Sequence, residues 1–168
     1  MPLTSEASGF IDFEGTLLEG TCDISAPPMV NLGNLDVTRI LANPNSWATV
    51  GNGLIQVKIS GCQGSGGTKT AGIAITGQLS TDPGVSANTS LFKTGGESKG
   101  FGVVVSYGNT RLSQGSMLYI TVPGADGIVV RNLTAAVSGG EKYWAGAQNQ
   151  NMKSGTLTAS VTLTFGYR

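Results

Sequence analysis

The chain has 168 residues, and its ten basic side chains are balanced by ten acidic ones. This length suits one domain with a core, and the lack of a basic excess argues against a nucleic-acid-binding protein. The chain has no histidine, which removes the commonest general base and the commonest metal ligand. Glycine is abundant and good helix formers are sparse, so the composition predicts many short strands joined by turns.

In the first half of the chain, short runs of alternating apolar and polar residues are separated by turn residues. The alternation predicts strands over residues 10–18, 22–24, 29–32 and 54–60. Gly15 interrupts the first of these strands and marks a bulge or kink. Residues 31–45 are ambiguous, because their apolar positions fit a strand followed by a short turn that ends at Pro44.

The second half of the chain continues the pattern. Strands are predicted over residues 71–76, 101–107, 117–122, 128–137 and 141–145, and residues 77–99 are polar and loop-like. The run Val103-Val104-Val105 predicts a strand that is buried on both faces. Turn signals recur about every ten residues, which predicts a single all-β domain of the β-sandwich type.

The segment from residue 155 to residue 168 has the most regular alternation in the sequence. Threonine and serine alternate there with apolar residues, as in a strand with one buried face and one wet face. A strand this regular needs a partner on both of its edges. The apolar positions are Leu157, Ala159, Val161, Leu163, Phe165 and Tyr167.

The two cysteines, Cys22 and Cys62, form either a disulfide or two buried thiols, and the low-charge composition favours a disulfide in an extracellular protein. No apolar run has the length of a transmembrane helix, and residues 1–4 do not look like a signal peptide. If the protein is exported, the chain is expected to be the mature form. No catalytic triad, phosphate loop or metal cluster can be assembled, so neither an enzyme nor a cofactor is expected.

Several short motifs, taken in order, resemble those of the chaperone–usher pilins of Gram-negative bacteria. The segment GFIDFEG at residues 9–15, followed by Cys22, resembles the first strand of that family and its first cysteine. The segment VNLG at 30–33 resembles the family's V-x-L-G, and IQVKISGC at 55–62 resembles the strand with the second cysteine. Residues 143–145 resemble its Y-x-A. Gly155, Ala159 and Tyr167 match a C-terminal glycine, a strand alanine and a penultimate tyrosine.

The resemblance implies an incomplete immunoglobulin-like β-sandwich, in which a donated strand fills a groove beside the C-terminal strand. It divides the chain into an N-terminal donor extension, residues 1–9, and a pilin domain, residues 10–168. The inward positions of the donor are expected to be Leu3, Ser5, Ala7, Gly9 and Ile11. The groove and the chaperone contact are expected at Leu157, Ala159, Val161, Leu163, Phe165, Tyr167 and Arg168.

The resemblance also implies a function in assembly. The chain would be a structural subunit of a fimbria that polymerises by donor-strand exchange with other pilin subunits and supports adhesion. A periplasmic chaperone and an outer-membrane usher would be its partners during assembly, and it would be exported through the periplasm to the bacterial cell surface.

Two alternatives stay open from the sequence. The chain could be an adhesive tip or adaptor pilin that binds a host receptor or a glycan, with Trp47, Tyr143 and Trp144 as stacking residues. It could also be a free-standing immunoglobulin-like secreted domain, since Asn88 and Asn132 lie in N-glycosylation patterns. The acidic residues Asp12 and Glu14 would share a solvated strand face.

Overall fold

A computed structural model of the chain describes residues 7–16, 22–35, 38–41, 47–62, 70–82, 89–124, 126–140 and 153–167. For residues 7–16, 33–35, 38 and 41 it describes the backbone only. These described residues form ten strands and one helical turn. The elements in order are β1 (Ala7–Thr16), β2 (Asp23–Ser25), β3 (Met29–Leu35), α1 (Thr38–Leu41), β4 (Thr49–Ser60), β5 (Ala71–Gly77), β6 (Gly102–Tyr107), β7 (Thr110–Arg111), β8 (Met117–Ile120), β9 (Val129–Ser138) and β10 (Leu157–Tyr167).

The strands form two five-stranded sheets. The first, sheet A, has the order β3-β1-β10-β5-β8, and the second, sheet B, has the order β2-β4-β9-β6-β7. In sheet A the first and the last described strands, β1 and β10, are neighbours and run parallel. The other described strand pairs are antiparallel.

The core lies between the inner faces of the two sheets, where apolar side chains occupy every second position of the strands. In β4, Ile55, Val57 and Ile59 are fully buried, while the residues between them are exposed. The inner face of β10 is buried in the same way, as are Ile73 and Ile75 of β5. Burial of these side chains is the main contribution to the stability of the sandwich.

Strand β6 is buried on both faces, as predicted from its valine run. Val103 and Val105 face the main core, whereas Val104 packs with Leu91 and Trp47 in a small second cluster. The outer face of β6 is therefore covered by Leu91, from the segment before β6, and by Trp47, from the segment before β4.

One prediction needs correction, one ambiguous prediction is confirmed, and one lies outside the described residues. Residues 77–99 are not merely a polar loop, because Leu91 and Phe92 are fully buried and Phe92 forms bridges to Leu79 and Val103. The ambiguous region after residue 31 continues as β3 and then forms the helical turn α1, which buries Ile40. The strand predicted over residues 141–145 is not among the described residues.

Candidate functional site

The inner face of β10 is almost completely buried. Its apolar residues from Leu157 to Phe165 are at most 1% exposed, and Tyr167 is half-buried with its ring edge-on to that of Phe165 at 5.3 Å. The threonines and the serine between them are half-buried. The period-2 pattern therefore predicted the buried face of this strand correctly.

The N-terminal segment of the chain lies along one edge of β10. Strand β1 pairs with it in parallel from Gly9 opposite Leu157 to Thr16 opposite Thr164. On its other edge β1 pairs with β3 in antiparallel orientation, with a register shift between Gly9 and Phe10. The sheet position beside β10, where a donated strand was predicted, is thus taken by residues of the same chain.

The register brings together some of the predicted site residues. Gly9 lies opposite Leu157 and Ile11 opposite Ala159. Ala7 is the first residue of β1 and pairs only with β3. Leu3, Ser5 and Arg168 lie outside the described residues. The predicted boundary between residues 9 and 10 falls inside β1, which is continuous there.

At most positions of one face of the β1–β10 pair a small residue lies opposite a large one, with Phe13 opposite Val161 as the exception. Gly9 and Gly15 are opposite Leu157 and Leu163, whereas Ile11 is opposite Ala159.

The second edge of β10 is covered by two segments in succession. Strand β5 pairs with residues 161–167. Residues 94–99, which we call the strap, bond to residues 153–158. The N–H of Thr94 donates to the carbonyl of Thr158 at 2.7 Å, and the N–H of Thr158 donates to the carbonyl of Gly95 at 3.0 Å. The N–H of Ser98 donates to the carbonyl of Thr156 at 3.0 Å.

The strap and β5 lie on the same edge of β10. Alternate residues of a strand direct their backbone polar groups toward the same neighbour. The backbone N–H and carbonyl groups of Ile75 in β5 bond to the segment before β8 and therefore do not bond to β10. The hydrogen bonds between β10 and β5 are made instead by Thr162 and Thr164. Thr158 has the same parity as these two threonines, and its polar groups therefore face the same edge.

A buried ion pair lies at the base of the strap. The Nζ of Lys93 is 2.5 Å from Oδ2 of Asp82, and the two side chains are 7% and 11% exposed. The ammonium group also donates to the carbonyl of Ser98 at 2.6 Å, and Asp82 Oδ2 accepts from the N–H of Gly100 at 3.0 Å. Sequence reasoning missed this pair, because each residue taken alone fits a polar loop and no local pattern connects them.

The two cysteines form a disulfide. Cys22 precedes β2 and Cys62 follows β4, and these strands pair from Asp23 opposite Ser60. The sulfur atoms are 2.11 Å apart and both cysteines are buried. The disulfide therefore joins the edge strand of sheet B to its neighbour, and the alternative of two buried thiols does not apply.

Trp47 was considered as a stacking residue for a glycan. The guanidinium carbon of Arg111 lies 4.1 Å from the centroid of its ring, and the tryptophan packs against Leu91 and Val104. One ring face is thus taken by a cation of the same chain. Tyr143 and Trp144 are outside the described residues.

Within the described ranges, no group of three or more histidine, cysteine, aspartate or glutamate residues is placed to hold a metal ion. In the same ranges no helix has the length and apolar character needed to cross a membrane.

Comparison with known proteins identifies the fold. No protein-family model matches the sequence, and no curated protein matches it significantly. Among solved structures, the P pilus rod subunit PapA aligns with 88% of this chain and 99% of its own, with 19% identity and a TM-score of 0.61. A chaperone–usher pilus, solved to explain rod uncoiling, aligns over 92% of both chains with 22% identity and a TM-score of 0.64. The chain therefore has the immunoglobulin-like sandwich fold of these pilus subunits, as the sequence predicted.

Proposed function

We propose that this chain is a structural subunit of a pilus and that it polymerises by exchange of the strand beside β10. One observation carries the proposal: the only described neighbour on one edge of the deeply buried β10 is β1, the first described strand of the chain. Release of β1 from its two neighbours, β3 and β10, would open this edge. A second copy can then supply the strand that β10 requires.

The chemistry of such an exchange is main-chain hydrogen bonding together with side-chain complementarity. A donated strand satisfies the N–H and carbonyl groups along β10, and its inward residues cover the apolar inner face. Leaving this edge open would expose apolar surface and unpaired backbone groups, which promotes aggregation. The exchange therefore converts an aggregation-prone edge into a specific subunit joint.

In this proposal the donor segment comprises residues 1–9 and continues into β1, with Leu3, Ser5, Ala7, Gly9 and Ile11 as its inward residues. Before assembly the same edge would be held by a periplasmic chaperone that contacts β10 and Arg168, and an outer-membrane usher would bring subunits together. The likeness to pilus subunits supports the proposal of these partners and of export to the cell surface. Of the two roles considered, the rod subunit is favoured, because both aligned structures belong to pilus rods.

A covalent tether between β1 and β10 tests the proposal. Asp12 and Ser160 are register partners on the strand faces opposite to the core positions, so the double variant Asp12→Cys/Ser160→Cys can be crosslinked with mild oxidant. We expect the wild-type chain to form filaments that are visible by electron microscopy, and the tethered chain to remain monomeric because β10 cannot accept another strand.

A matched tether in sheet B is the control. Gln56 and Asn132 are exposed register partners in β4 and β9, and crosslinking Gln56→Cys/Asn132→Cys should leave filament formation unchanged. Filaments from the chain tethered between β1 and β10 would refute strand exchange at this edge. Failure of the wild-type chain to form any filament would refute the pilus assignment itself.

A further inference from the structure

The two edges of β10 are covered in different ways. One edge pairs with β1, while the other pairs with β5 and, where β5 ends at Gly77, with the strap. If residues 153–158 were left unpaired, they would form a second edge at which a strand from another molecule could bind. Strand exchange at a single edge therefore requires that the strap stay closed.

The strap is held at both ends by the buried ion pair. Lys93 precedes the strap directly, and its ammonium group contacts the carbonyl of Ser98 near the other end. Asp82 binds that ammonium group and the N–H of Gly100, just beyond the strap. The pair thus connects the start of the strap to its end and closes it into a compact loop.

A close backbone contact fixes the middle of the strap. Gly96 has a φ of +109°, and a Cβ at this position would lie 2.1 Å from the carbonyl oxygen of Thr156. A side chain here would be excluded both by the φ angle and by the contact. The middle of the strap therefore lies at backbone-contact distance from the residue before β10.

We propose that Asp82 and Lys93 are positioning residues that keep the strap on β10 and thereby confine strand exchange to the β1 edge. The claim that strand exchange is confined to the β1 edge rests on the proposed function, whereas the claim that the ion pair holds the strap does not. Removing one member of the pair leaves the other charge buried without its partner. The strap should then open locally and expose the edge at residues 153–158.

Amide hydrogen exchange of the full chain tests whether the pair holds the strap. In Lys93→Met, we expect the amides of Thr94, Ser98 and Thr158 to lose protection by about tenfold or more relative to the β4–β9 amides. The control is Lys99→Met, which makes the same change at an exposed lysine within the strap. It should leave the protection of these amides unchanged.

A second variant keeps the test decisive if Lys93→Met does not fold. Asp82→Asn/Lys93→Met contains no unpaired buried charge, so its sandwich should remain folded. Its strap amides should still exchange faster than in wild type, because the bond to the carbonyl of Ser98 is lost. Unchanged strap protection in a folded variant would overturn the proposal. Unfolding of both variants would also overturn the proposal, because it would show that the ion pair stabilises the whole domain rather than the strap.

Filament morphology tests the confinement separately. Wild type and Lys99→Met should give unbranched filaments, whereas the variants with a loosened strap should give branched or amorphous aggregates, because two edges of β10 accept strands. Unbranched filaments from a variant with a loosened strap would overturn the confinement. If wild type formed no filaments, the pilus assignment would fail, while hydrogen exchange would still show whether the ion pair holds the strap.

Discussion

Individual residues of β10 differ sharply in how much a substitution should disturb the protein. Phe165 is fully buried, packs edge-on against Tyr167 and lies opposite Ile73 of β5. Its neighbour Thr164 is half-buried on the other face of the strand. The two positions are adjacent in sequence, so a comparison between them isolates the effect of the strand face.

Changing Phe165 to aspartate should unfold the domain or expel the strand, because it buries an unpaired charge. We expect a loss of stability larger than the ~3–5 kcal/mol that removal of a buried phenylalanine ring usually costs. Thr164→Ser should change stability by less than about 0.5 kcal/mol. Urea unfolding of both variants measures the difference. A Phe165→Asp variant as stable as wild type would show that this position does not face the core.

Strand β1 is the element on which the proposed assembly depends. Its register with β10 places glycines opposite leucines and Ile11 opposite Ala159. Its pairing with β3 shifts register directly after Gly9. Gly9 is therefore restricted on one side by Leu157 of β10 and on the other side by the register shift in its pairing with β3.

Replacing Gly9 with leucine should weaken the β1–β10 pair, because two leucines would then occupy opposite register positions. Overpacking of this kind costs about 1–3 kcal/mol. Ser8→Leu is the matched control, because Ser8 pairs with β3 alone. Denaturant midpoints of the monomer, and of filaments where they form, report the effect. Equal losses at both positions would mean that Gly9 is not on the inward side of β1.

The strands themselves were largely predictable, because a strand with one buried face leaves its period in the sequence. The alternation in β4 and β10 located both strands and their inner faces. The sequence did not reveal which segment occupies the edge of β10, because pairing between distant strands depends on three-dimensional placement rather than on local pattern. The strap and the Asp82–Lys93 pair escaped prediction for the same reason.

At the level of the whole molecule, the disulfide is the only described covalent connection between separate strands. The cysteines are separated by 40 positions in the sequence. Replacing both with serine should lower the free energy of unfolding by about 4 kcal/mol, because the unfolded chain gains the entropy of the opened loop. Urea titration of Cys22→Ser/Cys62→Ser against wild type measures this, and a loss below about 1 kcal/mol would contradict the expectation.

The pairing of β1 with β10 also determines when the protein can fold. During synthesis β1 is made before every other described strand, and its neighbour β10 is made after all of them. The centre of sheet A therefore cannot form until residue 164 is available to pair with residue 16. Contacts this distant along the chain make folding slow and leave unpaired strands exposed in the meantime. Sheet B contains no part of β10 and can pair earlier, whereas β1 and β5 lack their shared neighbour in sheet A until β10 is made. We therefore expect the chain to be most prone to association with other chains during that interval.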